Sequence, residues 1–361
     1  MSDTNAAANQ HEVIGVSKNL GSDLQRPPLT DWFYRGGLLG LFIHFGISTV
    51  RAEGDLSWGM MDRCPWDEPN NYTITPREYW EQARSFNPQH FDPDNWMRAI
   101  KDAGFSYAVF TTRHHDGFSL WPSEHGYLNT KNYMGGRDLV GEYIEACRNN
   151  GIRVGLYYSA PDWFMERYYM SFLYGSSDPV HYPGRRPVGL DLEVLDELPV
   201  MPQTLRADIY AYVNNQIREL LTRYGKIDII WFDGSLPDKT KCIPVEEILS
   251  LQPEILINNR MHGIGYNSQF ECQLPEEKPD GFFEHCHIWM ENCGWAHMNR
   301  CTGYRSAQWV YDSYQVCKNW GGNMLINVGP RSDGTLPDIF YQRLKELKAL
   351  LDSGKQRGVV R

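Results

Sequence analysis

A chain of 361 residues, 42% hydrophobic and 22% charged, exceeds a single β-sandwich and suits one large α/β barrel with extended loops. Its formal net charge of −10, with no run of Lys or Arg, argues against nucleic acid and anionic membrane surfaces as partners and favours a neutral ligand. No apolar run approaches the roughly 18 residues that a membrane helix requires.

Residues 1–27 are polar and read as a flexible N-terminal arm, leaving residues 28–361 as a single domain. The arm lacks the basic patch and apolar core of a secretory signal, so the expectation is a cytoplasmic protein. The eight cysteines include no C-x-x-C pair, and reduced thiols are expected. The sequon Asn71-Tyr72-Thr73 is then only nominal.

Beyond the arm, short β-branched and aromatic runs alternate with stretches of helical period. Leu38 to Gly46 reads as a strand. Trp96, Met97, Ile100 and Ala103 form a helical stripe within Asp94–Ala103, ended by Gly104. Strand Tyr107–Thr112, helix Asp138–Gly151 and strand Arg153–Ser159 follow. Next come helix Asp208–Tyr224, strand Ile227–Phe232, helix Pro244–Leu251 and strand Glu254–Asn259. The chain closes with a helix around Ser306–Lys318, strand Met324–Val328 and helix Pro337–Asp352. Strand and helix in repeated order predict a parallel sheet. No glycine-rich phosphate loop follows the first strand, which weakens the dinucleotide-binding form. Strand after strand ends in polar or aromatic chemistry: His44, His114-His115-Asp116, Tyr157-Tyr158, Asp233 and Asn259-Arg260. A closed (β/α)8 barrel, possible distortion included, brings all those ends to one face; an open sheet would unite only a few.

In IIWFDG, Asp233 follows a buried-type strand and Gly234 permits a tight turn. A carboxylate so held has the placement of a glycosidase nucleophile; the plainer alternative is a loop cap. His114 and His115 could donate to vicinal sugar hydroxyls, bind a metal together with His44, or serve only as structure. Metal hydrolases usually show spaced ligands such as H-x-H or H-E-x-x-H with a nearby carboxylate set, whereas His44 lies in HFG, so neither a metal ion nor a cofactor is expected. Tyr157 and Trp231 either line the same mouth or pack the core. Trp58 is a pocket wall or an ordinary loop aromatic, and Arg260 needs an anionic or hydroxyl partner. A second carboxyl group must come from FECQLPEEKPDGFFEH, in which Glu271, Glu276, Glu277 and Glu284 all stand open.

Several runs together resemble the α-L-fucosidases of glycoside hydrolase family 29. The family's G-x-F-x-H-[WF]-G is met by GLFIHFG, its basic-H-H-D-G-F-x-L-W by RHHDGFSLW and its R-D-L-V-G by Arg137 to Gly141. GLYYS, the W-x-D of Trp231 to Asp233 and GGNMLINVGPRSDG match in the same order, from about Trp32 to the C-terminus. The resemblance implies a retaining exo-acting hydrolase of terminal α-L-fucosyl or closely related L-sugar glycosides, with a carbohydrate or glycoconjugate as partner and Asp233 as nucleophile. It also implies that His44, His114, His115, Tyr157, Trp231 and Arg260 surround the sugar. Glu276, in LPEEKP, fits the family's context for the acid/base and leads; Glu271 fits the spacing from Arg260 and stands next. Where the family commonly has His-Trp-Gly, this chain has His44-Phe45-Gly46, and Ser57-Trp58 replaces a Glu-Trp pair. Asn258-Asn259-Arg260 replaces Asn-Asp-Arg, and Trp295 in CGWAHM is the counterpart of a further sugar contact. The C-terminal β-sandwich of many members is not expected. A weakened sugar-binding relative and a metal-dependent barrel hydrolase are the competing readings.

Overall fold

The computed structural model describes residues 10–18, 26–63, 74–174 and 184–358. Eight parallel strands make one sheet: β1 (Leu39–Ile43), β2 (Tyr107–Arg113), β3 (Arg153–Ser159), β4 (Ile229–Asp233), β5 (Leu256–Ile257), β6 (Asn267–Glu271), β7 (Phe283–Ile288) and, after the small hairpin of β8 (Met290–Glu291) and β9 (Gly303–Tyr304), β10 (Asn323–Val328). Their order is β5-β4-β3-β2-β1-β10-β7-β6. The two outer strands meet through one parallel bridge, Asn258 with Tyr266, backed by hydrogen bonds between Tyr266 N and Ile257 O and between Asn259 N and Tyr266 O. The sheet therefore curls into a distorted (β/α)8 barrel.

Apart from the half-buried β6, the strands of this sheet are buried almost throughout, as parallel strands covered by helices must be. Alternation sorts their side chains. Leu39, Leu41 and Ile43 of β1, with Ile230 and Phe232 of β4, join the large core beneath the helices. Phe42, Tyr107, Val109, Tyr157, Ile229, Trp231 and Leu325 fill the barrel interior. Because successive strand residues face opposite ways, Asp233 continues the inward row of Ile229 and Trp231 and stands at the barrel mouth.

Helices follow where stripes and caps coincide. Asp92 accepts from Asn95 N at the start of α1 (Pro93–Asp102), which buries Trp96, Met97 and Ile100, and Gly104 turns the chain away at φ +96°. Asp138 caps α2 (Leu139–Asn149) through Gly141 N. α3 (Gln203–Arg223) begins five residues before the expected start, and α4 (Val245–Leu251), α5 (Ala307–Asn319) and α6 (Asp338–Gly358) complete the layer.

Three expectations change. β6 and β7, for which no strand was expected, flank the loop that carries Glu276 and Glu277, and within the described residues no helix joins β5 to β6 or β6 to β7. Of the arm, residues 10–18 are docked on the barrel, with Ile14 and Val16 buried; residues 1–9 and 19–25 lie outside the described residues. Cys293 and Cys301 form a disulfide, against the expectation of reduced thiols, whereas Cys147, Cys242, Cys286 and Cys317 are free thiols. Cys64, the sequon at Asn71 and the start of HYPGRRP lie outside the described residues.

Candidate active site

Strands β1 to β6 each deliver a side chain to the mouth at or just after their C-terminal ends. Asp233 is the last residue of β4 and Glu271 the last of β6, while His44, His114 and His115 directly follow β1 and β2. Together with Tyr157, Trp231, Arg260, Trp58 and Trp295 they line one pocket. Gln10, His11, Ile14 and Phe42 line it too. Phe42 was legible as an inward residue two before His44, but no sequence signal marked the three from the arm.

Asp233 is held at both oxygens. Tyr157 donates its hydroxyl to Oδ2 at 2.6 Å, and Arg260 Nη1 donates to Oδ1 at 2.8 Å. His115 Nε2 stands 3.7 Å from Oδ2. The other end of the Arg260 guanidinium pairs with Glu271 Oε1, and its plane lies over Trp231 at 4.4 Å. One cation thus bridges two carboxylates, and charge-assisted hydrogen bonds of this kind fix both in place. Burial pushes the Glu271 carboxyl up, but Arg260 and then His11 beside it outweigh burial and hold it down at about 2.

The imidazoles are oriented from behind. His44 Nδ1 shares a hydrogen bond with Asn327 Oδ1 at 2.6 Å, His114 Nδ1 with Ser57 Oγ at 2.5 Å and His115 Nδ1 with Ser159 Oγ at 2.6 Å. Burial pushes His44 down to about 4 and carries His114 and His115 well below the usual imidazole range. All three are therefore neutral near pH 7, able to donate to or accept from hydroxyl groups. Ser57, standing where the resembled family has Glu, is committed to His114 and the backbone N–H of Asp116.

Trp295 packs against His44 at 5.2 Å and Phe42 at 6.1 Å between ring centroids. Its loop is tied down by Asp55, which accepts from Ala296 N, by Asn327 Nδ2 donating to the Trp295 carbonyl, and by the Cys293–Cys301 disulfide on either side.

Glu276 is exposed and is not part of the pocket lining. The geometry reverses the order inferred from sequence: Glu271, not Glu276, shares the pocket with Asp233. Glu276 sits in the loop between β6 and β7, where proline context marks a turn but not a direction. Glu277 is likewise exposed. Glu284, on the inward face of β7, is wholly buried beneath the pocket, accepting from Tyr107 Oη at 2.7 Å and Trp231 Nε1 at 2.9 Å.

Burial pushes Glu284 up to about 7, its hydrogen-bond donors only partly offsetting this. A carboxyl raised from its ordinary 4.5 binds its proton more tightly in the folded chain, so its stabilisation is full below pH 4.5 and is lost as pH rises through 7. Denaturant midpoints measured from pH 4.5 to 8 are expected to fall more steeply for the wild type than for Glu284→Gln. Parallel slopes would remove Glu284 as the source.

His114, His115 and Asp233 also bring potential metal-ligand atoms within 4.8 Å of one another. However, Tyr157 and Arg260 already take both Asp233 oxygens, and a divalent cation there would face a fixed guanidinium. Neutral imidazoles, a tethered carboxylate and flanking aromatics suit the hydroxyls and C–H faces of a sugar better.

The α-L-fucosidase family matches residues 5–354 of this chain. Among relatives, the tissue α-L-fucosidase of Mus musculus is 30% identical over 345 residues, 89% of this chain and 69% of that protein. The tissue α-L-fucosidase of Homo sapiens is 28% identical over 350 residues, 89% of this chain and 67% of that protein. Among solved structures, α-L-fucosidase isoenzyme 1 from Paenibacillus thiaminolyticus is 30% identical, with 91% of this chain and 76% of that one covered at a TM-score of 0.72. The α-L-fucosidase AlfC from Lactobacillus casei, solved with its α-L-fucose product, shares the fold at 24% identity and a TM-score of 0.67, covering 90% of this chain and 99% of that one.

Proposed function

Because the chain belongs to the α-L-fucosidase family of glycoside hydrolases, we propose that it hydrolyses terminal α-L-fucosides with retention, using Asp233 as nucleophile and Glu271 as acid/base. The observation that carries this reading is the single guanidinium of Arg260 in contact with both carboxylates. One guanidinium keeps the two carboxylates within a single side chain's reach, compatible with the roughly 5–5.5 Å spacing of retaining enzymes.

In the first step Asp233 attacks the anomeric carbon, the C–O bond to the aglycone breaks, and Glu271 gives its proton to the departing oxygen. In the second, Glu271 takes a proton from water, which displaces Asp233 and restores its carboxylate. Tyr157 and Arg260 hold Asp233 in line throughout. His44, His114 and His115 present neutral ring nitrogens to the sugar hydroxyls, and Trp58, Trp231 and Trp295 supply apolar walls for its C–H face and methyl group. Since Ser57 offers the sugar no charge, a hydrogen bond worth about 1.5–3 kcal/mol is forgone, and preference extends to related L-sugars.

The test is hydrolysis of aryl α-L-fucoside, β-D-galactoside and β-L-arabinoside, with the anomer of the first product read by proton NMR. Turnover of the fucoside with α-L-fucose formed first is expected. Initial release of the β-anomer, or no turnover of any of the three, would overturn the reading.

A further inference from the structure

Residues 10–18 lie across the pocket rather than beside it. His11 Nε2 stands 3.0 Å from Glu271 Oε2. Ser235 N donates to the Ile14 carbonyl at 2.9 Å, Ser17 N to the Arg260 carbonyl at 2.8 Å, and Gln269 Nε2 to the Ser17 carbonyl at 2.5 Å. These anchors are, or lie within two residues of, Asp233, Arg260 and Glu271. Gly234, at φ +76°, makes the seat possible: a Cβ there would come within 2.3 Å of the Ile14 carbonyl oxygen. With the segment seated, the free space in the pocket admits water centres over only about 20 Å³. That accommodates about one water and no pyranose ring.

We propose that residues 10–17 are a strap that closes the sugar pocket, placing His11 on the Glu271 oxygen that must reach the glycosidic oxygen, and that the strap lifts to admit substrate. The proposal rests on Asp233 and Glu271 being the catalytic pair. The contact is autoinhibitory in two ways. It fills the entrance, and it occupies the acid with a partner that favours its ionised form. When His11 leaves, Arg260 remains on Glu271, with Asp233, His44, Tyr157, His285 and Cys286 the other titratable groups facing this cluster. Lifting therefore moves Glu271 toward the protonated form that acid catalysis requires. Apparent affinity falls by the fraction of molecules that are open, so loosening the strap tightens binding without any new contact.

Hydrogen exchange followed by mass spectrometry, on the full chain with and without saturating α-L-fucose, tests this. Amides of residues 10–17 are expected to exchange at least several-fold faster with the sugar bound, while those after β1, β2 and β4 slow. In parallel, His11→Ala and Ile14→Ser in the full chain are expected to lower KM for an aryl α-L-fucoside several-fold, with thermal midpoints near wild type. Slower exchange of residues 10–17 with sugar bound, or a raised KM in both variants, would make the segment a fixed wall and overturn the strap alone. Unchanged exchange everywhere would overturn the strap and the catalytic reading together.

Discussion

Asp233→Gly is expected to lower turnover of an aryl α-L-fucoside by on the order of 10⁴-fold or more, the scale at which removal of a covalent nucleophile is felt. The fold should survive the change. Arg260 keeps Glu271 as its partner, so no buried cation is stranded, and Tyr157 loses one hydrogen bond. Removing the side chain also opens a small volume directly beneath the anomeric carbon. Azide fits it and can attack from the same side, so added azide is expected to restore part of the turnover and yield a glycosyl azide of inverted configuration. The measurement is initial rate with and without azide, together with NMR of the product. Activity within tenfold of wild type, without azide, would remove Asp233 from the chemistry.

Glu271→Gln separates the two catalytic steps. A positioned acid/base contributes about 10²–10⁴-fold, and that loss should appear in full for alkyl α-L-fucosides, whose leaving group needs a proton. For a dinitrophenyl fucoside the first step needs no acid, so only the second slows; a burst of phenolate followed by a slow steady state is expected. Glu276→Gln should stay within about twofold on both substrates, since that side chain is exposed and away from the pocket. Stopped-flow traces on the two variants decide between these carboxylates. Should Glu276→Gln show the leaving-group dependence and Glu271→Gln none, the assignment from geometry is wrong.

Much of this arrangement was legible in the chain itself. Strand β3 is found at its predicted bounds, Arg153–Ser159, and β4 ends on Asp233 as the IIWFD pattern implies. Periodicity was enough there because central parallel strands are continuous apolar runs bounded by turn residues. Where the pattern was polar it misled. Asn267–Glu271 carries no apolar alternation, yet it pairs with β7 and turns Glu271 inward. Its burial comes from Arg260 and His11 supplying charge, not from hydrophobicity. The arm misled in the same way. Its polar composition suggested looseness, but Ile14 and Val16 find an apolar seat only once β4 and the Arg260 loop stand side by side.

The sequence by itself determined the barrel and the inward row that ends in Asp233, because a side-chain period of two is set by the backbone of each strand alone. It also determined that histidines and aromatics crown several strands. Which glutamate joins Asp233, and that residues 10–18 reach the pocket, were decided only by tertiary structure. Glu271 is held by Arg260, 11 positions before it, and by His11, 260 positions before it, while Arg260 reaches Asp233 across 27; such contacts between separate segments leave no periodic trace in the sequence around the residues they hold.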